Sequence, residues 1–427
     1  MMFHRPLAWW LAVSGTALLL LYIPNGVLHI YLGKLVYARD FAVAAHLAFT
    51  LFCLQRTGHL RTLRPAILPL LIFAAFLLPL GTSGRTRKDF LVNTKWVLLW
   101  LDAMLTGYLI FLQRRFVKTI AVIATAAFSL FALDGLIGLH ELRTNSFFFA
   151  VPKDEETDAG VRVARSQQLQ SAVRMQGMQR DVFNFANFMG VGFVTCLAAL
   201  LTLRSLILRA FASIGALGFT FVAFESGGRS VLFGMLLASA LCLLALLARR
   251  AFFAHSRKVL VAAVVAGCVL CVAGLGPVLN SVFTFTAAQS RVFDLASTYE
   301  RDAIWAERLQ QMLAMPASFL TGMPIASWIA GSLEPLAFAD NQTLWLLFHT
   351  GIGGLALMLV FFYRHARPRS REQHFAAYLA LVLFTALVFG EALARDTFFM
   401  FGALPMFLLI GFFIAADAYA DRETHRA

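Results

Sequence analysis

The sequence predicts an all-α polytopic membrane protein, with about twelve transmembrane helices and two long outer loops that contain short helices. Three observations carry this. Hydrophobic residues make up 60% of the 427-residue chain and Phe alone occurs 42 times, with a mean hydropathy of +0.75. That is more apolar surface than one soluble core buries, whereas a bilayer accommodates it. Apolar windows of roughly 20 residues, the length that crosses a hydrocarbon layer, recur along the chain. Basic residues, finally, gather beside alternate connections.

In chain order the windows lie at 7–28, 37–55, 65–82, 91–113, 116–138, 183–203, 206–225, 230–248, 258–280, 341–363, 374–392 and 397–419. The first follows a weakly basic front, His4 and Arg5, but it is long and lacks a small-residue cleavage site. It is therefore expected to stay as an anchor. Nineteen Lys and Arg residues, from Arg5 and Arg56 to Arg422 and Arg426, flank one set of short connections. Seven flank the other set: Lys34, Arg39, Arg85, Arg87, Lys88, Arg229 and Arg395. The positive-inside rule then places both termini in the cytoplasm. The net charge of +13 is chiefly this topology signal. Nucleic-acid binding is a poor account of it, because the charges are dispersed among loops.

The chain reads as one membrane domain, 1–427, with two long connections at 139–182 and 281–340 that both fall outside. Neither has the composition of a flexible linker, and "DAGVRVARSQQLQSAVRMQGMQRD" (158–181) has the pattern of an amphipathic surface helix. Long loops in a compact protein are usually functional. No internal repeat marks a duplicated transporter core.

Familiar cofactor chemistry finds no motif. The five cysteines (Cys53, Cys196, Cys242, Cys268, Cys271) all fall in apolar windows, and Cys268-x-x-Cys271 lies mid-window, a poor setting for redox or zinc work. No Walker motif, dinucleotide fingerprint, Ser-x-x-Lys or His-Glu-x-x-His occurs.

Arginines at the outer face offer another chemistry. Arg180 closes the first long loop in "MQRDVFNFANFMG", Arg229 stands in the outer turn "FESGGRSVLFG", and Arg301 in "YERDAIWAERLQQML" of the second. Guanidinium forks are planar, permanently charged and bind phosphate oxygens bidentately, so three together suit a diphosphate. The plainer account is that outer-loop arginines anchor to lipid headgroups. Arg229 is the best placed, since Ser226-Gly227-Gly228 forms a turn that would expose backbone N–H groups at a helix start. Glu225 would alternatively pair with it in a purely structural corner.

These motifs, in this order, carry a resemblance. Arg180 with "FNFANFMG" (183–190), "SGGRS" (226–230), Arg301-x-x-x-Trp305 followed by "MPASFLTGMP" (315–324), and "DNQTLWLLFHTGIGGL" (340–355) resemble the bacterial O-antigen ligase and O-antigen polymerase superfamily over about 180–355. The resemblance implies a metal-independent membrane glycosyltransferase of the inner membrane, with no cofactor. Its donor would be an undecaprenyl-diphosphate-linked oligosaccharide on the periplasmic side, and its acceptor a glycan or lipid A–core. Arg180 and Arg229 match the family's diphosphate-binding arginines, with Asn187 at the Asn of the following helix. Arg301 and Trp305 match the loop segment that folds over the site, and Asp340-Asn341 the motif that opens the next helix. Ligases typically carry His-Asn there. The Asp-Asn of this chain leaves Leu344, Leu347 and Gly351 in register and tilts the expectation from ligase towards polymerase.

An acid at 340 suits that chemistry. Asp340 would take the acceptor hydroxyl's proton as general base, while the arginines stabilise the departing diphosphate. Asp is equally a preferred helix N-cap, and the two roles are compatible. His349 lies nine residues on, about 13 Å along a helix, and packing is the plainer role for it. Gly351, Gly353 and Gly354 suit close helix contacts. Trp305 would stack on a sugar or anchor at the interface. Lys95, Asp102, Asp134, Glu391 and Arg395-Asp396 are ionisable groups in or beside apolar windows. Lys95 and Asp102 are expected to neutralise each other in part, or Lys95 to reach the interface, and Glu391 to line the same outer cavity as Asp340. A flippase or transporter of lipid-linked sugar is the competing class. It would concentrate charge at mid-bilayer and break helices at matching places in two halves.

Overall fold

The computed structural model describes residues 5–77, 84–113, 115–144, 175–179, 182–247, 342–365, 374–392 and 401–424, with isolated positions between 146 and 149 and between 306 and 322. At several helical positions, Arg229 and His349 included, the description is of the backbone alone. The window at 258–280, most of both long loops, and Arg180, Arg301, Trp305, Asp340 and Asn341 lie outside the described residues.

Among the described residues the chain is all-helical, with no strand. The helices are α1 (Arg5–Leu20), α2 (Asn25–Leu32), α3 (Tyr37–Arg56), α4 (Leu60–Leu77), α5 (Gly84–Phe111) and α6 (Phe116–Thr144). They continue with α7 (Val182–Thr202), α8 (Leu206–Glu225), α9 (Arg229–Leu247), α10 (Gln342–His365), α11 (Phe375–Ala392) and α12 (Leu404–Thr424). Among the described residues six segments are long and apolar enough to cross a membrane: Asn25–Arg56, Thr94–Phe111, Phe116–Thr144, Asn184–Thr202, Leu206–Glu225 and Phe375–Ala392. Large apolar side chains on α6 and α8, such as Val122, Leu136, Phe211 and Leu217, are exposed, as suits contact with hydrocarbon.

Three of the windows that differ from expectation do so for evident local reasons. The first stops at Leu20, because Pro24 and Asn25-Gly26 follow and turn the chain into the eight-residue α2. The fifth continues past 138 to Thr144, which takes 139–144 out of the first long loop. The tenth is broken: Gly351 adopts φ 63°, ψ −174°, a region open in practice to glycine alone, so α10 is two half-helices. The glycine there breaks the helix, a stronger effect than the close packing expected of it.

Helix α5 is the hub, packed by α1, α3 and α12. Where α12 crosses it, a methyl group on Gly107 would lie 1.8 Å from the Leu408 carbonyl oxygen, and one on Gly411 1.8 Å from that of Met104. Small residues let the two backbones touch, which is how helices gain contact where lipid offers no hydrophobic drive. A second group joins α7 to α6, α8, α9 and α11. Trp100 of α5 and Phe407 of α12 stack with centroids 5.3 Å apart in the shared core.

Candidate functional site

At one end of the bundle the 3-10 turn Gly177–Gln179 packs on α2, α6 and α7, and the 3-10 turn Phe401–Ala403 on α7, α11 and α12. Two acids on α6 hold the first turn. Asp134 and Glu141 are seven residues apart, two helical turns, and so share a face; both are buried. The backbone N–H groups of Gln176 and Gly177 donate to Glu141 Oε2 at 2.8 and 2.9 Å, and that of Phe148 to Oε1 at 3.2 Å. Met178 N–H donates to Asp134 Oδ1 at 2.6 Å. Gly177 has φ +50° and passes so close that a Cβ would lie 2.2 Å from Asp134 Oδ1. The Gln179 side-chain amide donates to the carbonyl of Ile23. The residue next in sequence is Arg180. Asp134, read from sequence only as an intramembrane charge, is thus a carboxylate that fixes the chain just before that arginine. Glu141 was not singled out at all; its signal was the i, i+7 spacing from Asp134.

Asn187 and Glu391 come together. Asn187 on α7 and Glu391 on α11 are both buried, and the Asn187 Nδ2 amide donates to Glu391 Oε2 at 2.7 Å. The Asn187 Oδ1 atom has no hydrogen-bond partner among the described atoms and faces Gly402, whose Cβ position it would occupy. Glu391 passes between α7 and α9: a methyl on Gly234 would lie 3.1 Å from its Cγ, and one on Gly390 2.6 Å from the Gly234 Cα. Backbone contact between α9 and α11 is what admits the carboxylate. Arg229 is the first residue of α9, five residues before Gly234. Ser230 beside it is buried, its hydroxyl unpartnered among the described atoms.

The turn before Arg229 departs from expectation. Gly227, at φ +69°, donates its N–H to Phe224, and Gly228 donates to Ala223, the two bonds that close the C-terminus of α8. Those N–H groups are spent, so anion binding at this corner falls to the first turn of α9. His349 lies in the upper half of α10, two residues before the break.

The expected sharing of charge between Lys95 and Asp102 is not found. Seven residues put them about 10 Å apart along one helix, and each has a nearer partner: Lys95 Nζ stands 3.1 Å from Asp40 Oδ2, and Asp102 Oδ1 2.6 Å from His46 Nδ1. Arg39, counted as an outer-loop residue, is buried on α3 with its guanidinium 3.6 Å above the Tyr22 ring.

Beside the polar end lies a half-open apolar trough of about 610 Å³, walled by α1, α6, α7, α8, α11 and α12. It runs from Ile23, Phe188 and Gly402 to Phe116, Leu203 and His374. Phe188 to Thr202 on α7 is about 21 Å of helix, most of a hydrocarbon layer. Its upper end adjoins two groups already described, since Ile23 accepts from Gln179 and Gly402 faces Asn187.

In comparison with known proteins, no family model matches the chain, and no curated protein matches it.

Proposed function

We propose that the chain is a membrane glycosyltransferase of the bacterial inner membrane that transfers or polymerises an undecaprenyl-diphosphate-linked oligosaccharide at the periplasmic face. The observation that carries this reading is the apolar trough whose end residues Ile23 and Gly402 adjoin polar groups, Ile23 accepting from Gln179 and Gly402 facing the Asn187–Glu391 pair. A polyprenyl tail in the trough would bring its diphosphate to the chain segment leading into Arg180 and towards the start of α9 at Arg229. Arg301 and Trp305 would close over it from the second loop. Asn187, through its free Oδ1, and Asn341 would orient sugar hydroxyls.

The reaction needs one bond made and one broken. The acceptor hydroxyl oxygen attacks the anomeric carbon, its proton passes to the Asp340 carboxylate, and the sugar–phosphate bond breaks with its electron pair leaving on the diphosphate. The arginines stabilise that charge, so neither metal nor nucleotide is required by the chemistry. His349, in the same half-helix that follows Asp340, is the alternative proton acceptor. Transport of a lipid-linked sugar is a second reading, favoured by one observation: the broken helix α10.

The test is purified protein in vesicles with undecaprenyl-diphosphate repeat units and EDTA, with and without lipid A–core. A glycan ladder without lipid A–core is the expected result for a polymerase, and product only with it marks a ligase. No covalent product under either condition overturns the enzyme reading. Arg180→Ala, Arg229→Ala and Asp340→Ala are each expected to abolish transfer in protein that remains inserted. Asp340→Asn, which caps almost as well but takes no proton, separates base from cap.

A further inference from the structure

A column of polar side chains crosses the bundle along the seam of α1, α3 and α5, on the far side of α5 from α12. Helices α3 and α5 run alongside each other, Lys95 pairing with Asp40 at a sequence offset of 55 and Asp102 with His46 at one of 56. The same offset brings Thr50 level with Thr106. At one end of α3 stand Tyr22, Arg39, Asp40 and Lys95, with the Tyr22 hydroxyl 2.5 Å from Asp40 Oδ1. Beyond the other, His59 Nδ1 lies 2.9 Å from the Tyr108 hydroxyl. Midway, the His46 and Asp102 side chains are 7% and 0% exposed.

The geometry fixes the charge of that central pair. His46 Nε2 lies 3.0 Å from the Leu11 carbonyl oxygen, which only accepts, so Nε2 carries a proton. Nδ1 faces a carboxylate oxygen at 2.6 Å, and one proton between them makes the bond in either sense. The pair is neutral whichever atom holds it. Three buried oxygens have no partner among the described atoms: Asp102 Oδ2, Thr50 Oγ1 and Thr106 Oγ1. A methyl on Gly15 of α1 would lie 2.3 Å from Thr106 Oγ1 and 2.7 Å from His46 Cε1, which puts the hydroxyl beside the imidazole. Such oxygens are costly to bury dry and suit one or two waters. A buried ion pair is also poor glue, since an apolar pair of the same volume holds helices as well.

We propose that this seam is a transmembrane proton path, with His46 and Asp102 as its central carrier. A proton arriving through water at Asp102 Oδ2 converts the neutral pair to an imidazolium facing a carboxylic acid, net charge +1. Loss of a proton towards the opposite end restores neutrality. Nothing else is bound or oxidised, and the membrane gradient sets the direction. From Asp40 and Lys95 through His46 and Asp102 to Thr50 and Thr106 the levels stand about 6 to 10 Å apart along the helix axes, distances that two or three waters bridge, and Tyr108 follows Thr106 by about 3 Å of rise. The path is independent of the trough and of the glycan chemistry.

The experiment is proton uptake by vesicles containing the full-length protein and a trapped pH-sensitive dye, driven by a potassium diffusion potential. Wild type is expected to take up protons at least tenfold faster than protein-free vesicles. Asp102→Asn keeps a hydrogen bond to Nδ1 but removes the titrating oxygen, and should return uptake to the protein-free rate. Thr106→Val leaves the His46–Asp102 bond in place and should slow uptake severalfold, which keeps the proposal testable if Asp102→Asn does not fold. Uptake by wild type at the protein-free rate overturns the path. So does wild-type uptake in both variants, which would leave the seam a structural fastening.

Discussion

At the scale of single residues, carboxylates do most of the positioning at the candidate site. Glu141 accepts three backbone N–H groups and Asp134 one. An amide in place of Glu141 keeps the shape but turns an N–H₂ towards donors. Glu141→Gln is therefore expected to destabilise the protein by about 1–3 kcal/mol, read as a lowered unfolding temperature in detergent. Transfer should fall with it, because the residues before Arg180 lose their anchor. Asn187→Leu withdraws the amide donor from Glu391 and should cost a similar amount, about 1–3 kcal/mol. Asn187→Gln, with the same amide on a longer arm, is not expected to restore it, since Gly402 leaves no room. None of these partnerships was legible in sequence. Glu391 bonds to Asn187, 204 residues earlier, while Asp340, with which it was expected to share a cavity, lies outside the described residues. Such pairs depend on which helices are neighbours, and local spacing does not encode that.

At the scale of elements the sequence was far more informative, because apolar length is a local property. A helix occupies every expected window among the described residues. The misjudged boundaries lie where one residue overrides hydropathy, as at Pro24 and Gly351. Gly351→Ala forces a side chain into the glycine region at a cost of about 1–3 kcal/mol. The expected outcome is lower stability or a straightened α10, distinguishable by spin-label distances between the two half-helices. Gly390→Leu should be harsher, because the side chain meets the Gly234 backbone. Loss of folded, monodisperse protein is the expected readout, with Gly218→Leu, where nothing stands within 4 Å, as the tolerated counterpart.

At the scale of the whole molecule, the expectation from the basic residues is that both termini face the cytoplasm and the 177–179 turn faces the periplasm. Single cysteines introduced at Thr144 and at Ala427 and probed with an impermeant thiol reagent on intact spheroplasts should label only the first; the reverse pattern would invert the site. The order of synthesis matters as well, because the seam joins helices that are not consecutive. When α3 leaves the ribosome, Asp40 has only Tyr22 and Arg39 beside it and His46 only the Leu11 carbonyl, since Lys95 and Asp102 arrive only with α5. An ionisable group short of its charged partner is expensive to leave in lipid. Helix α3 on its own is therefore a poor insertion substrate, and the membrane must accept α3 to α5 as one delayed package. A nascent chain truncated at Leu77 is expected to leave α3 extractable by alkaline carbonate, and one extended to Phe111 to make it resistant.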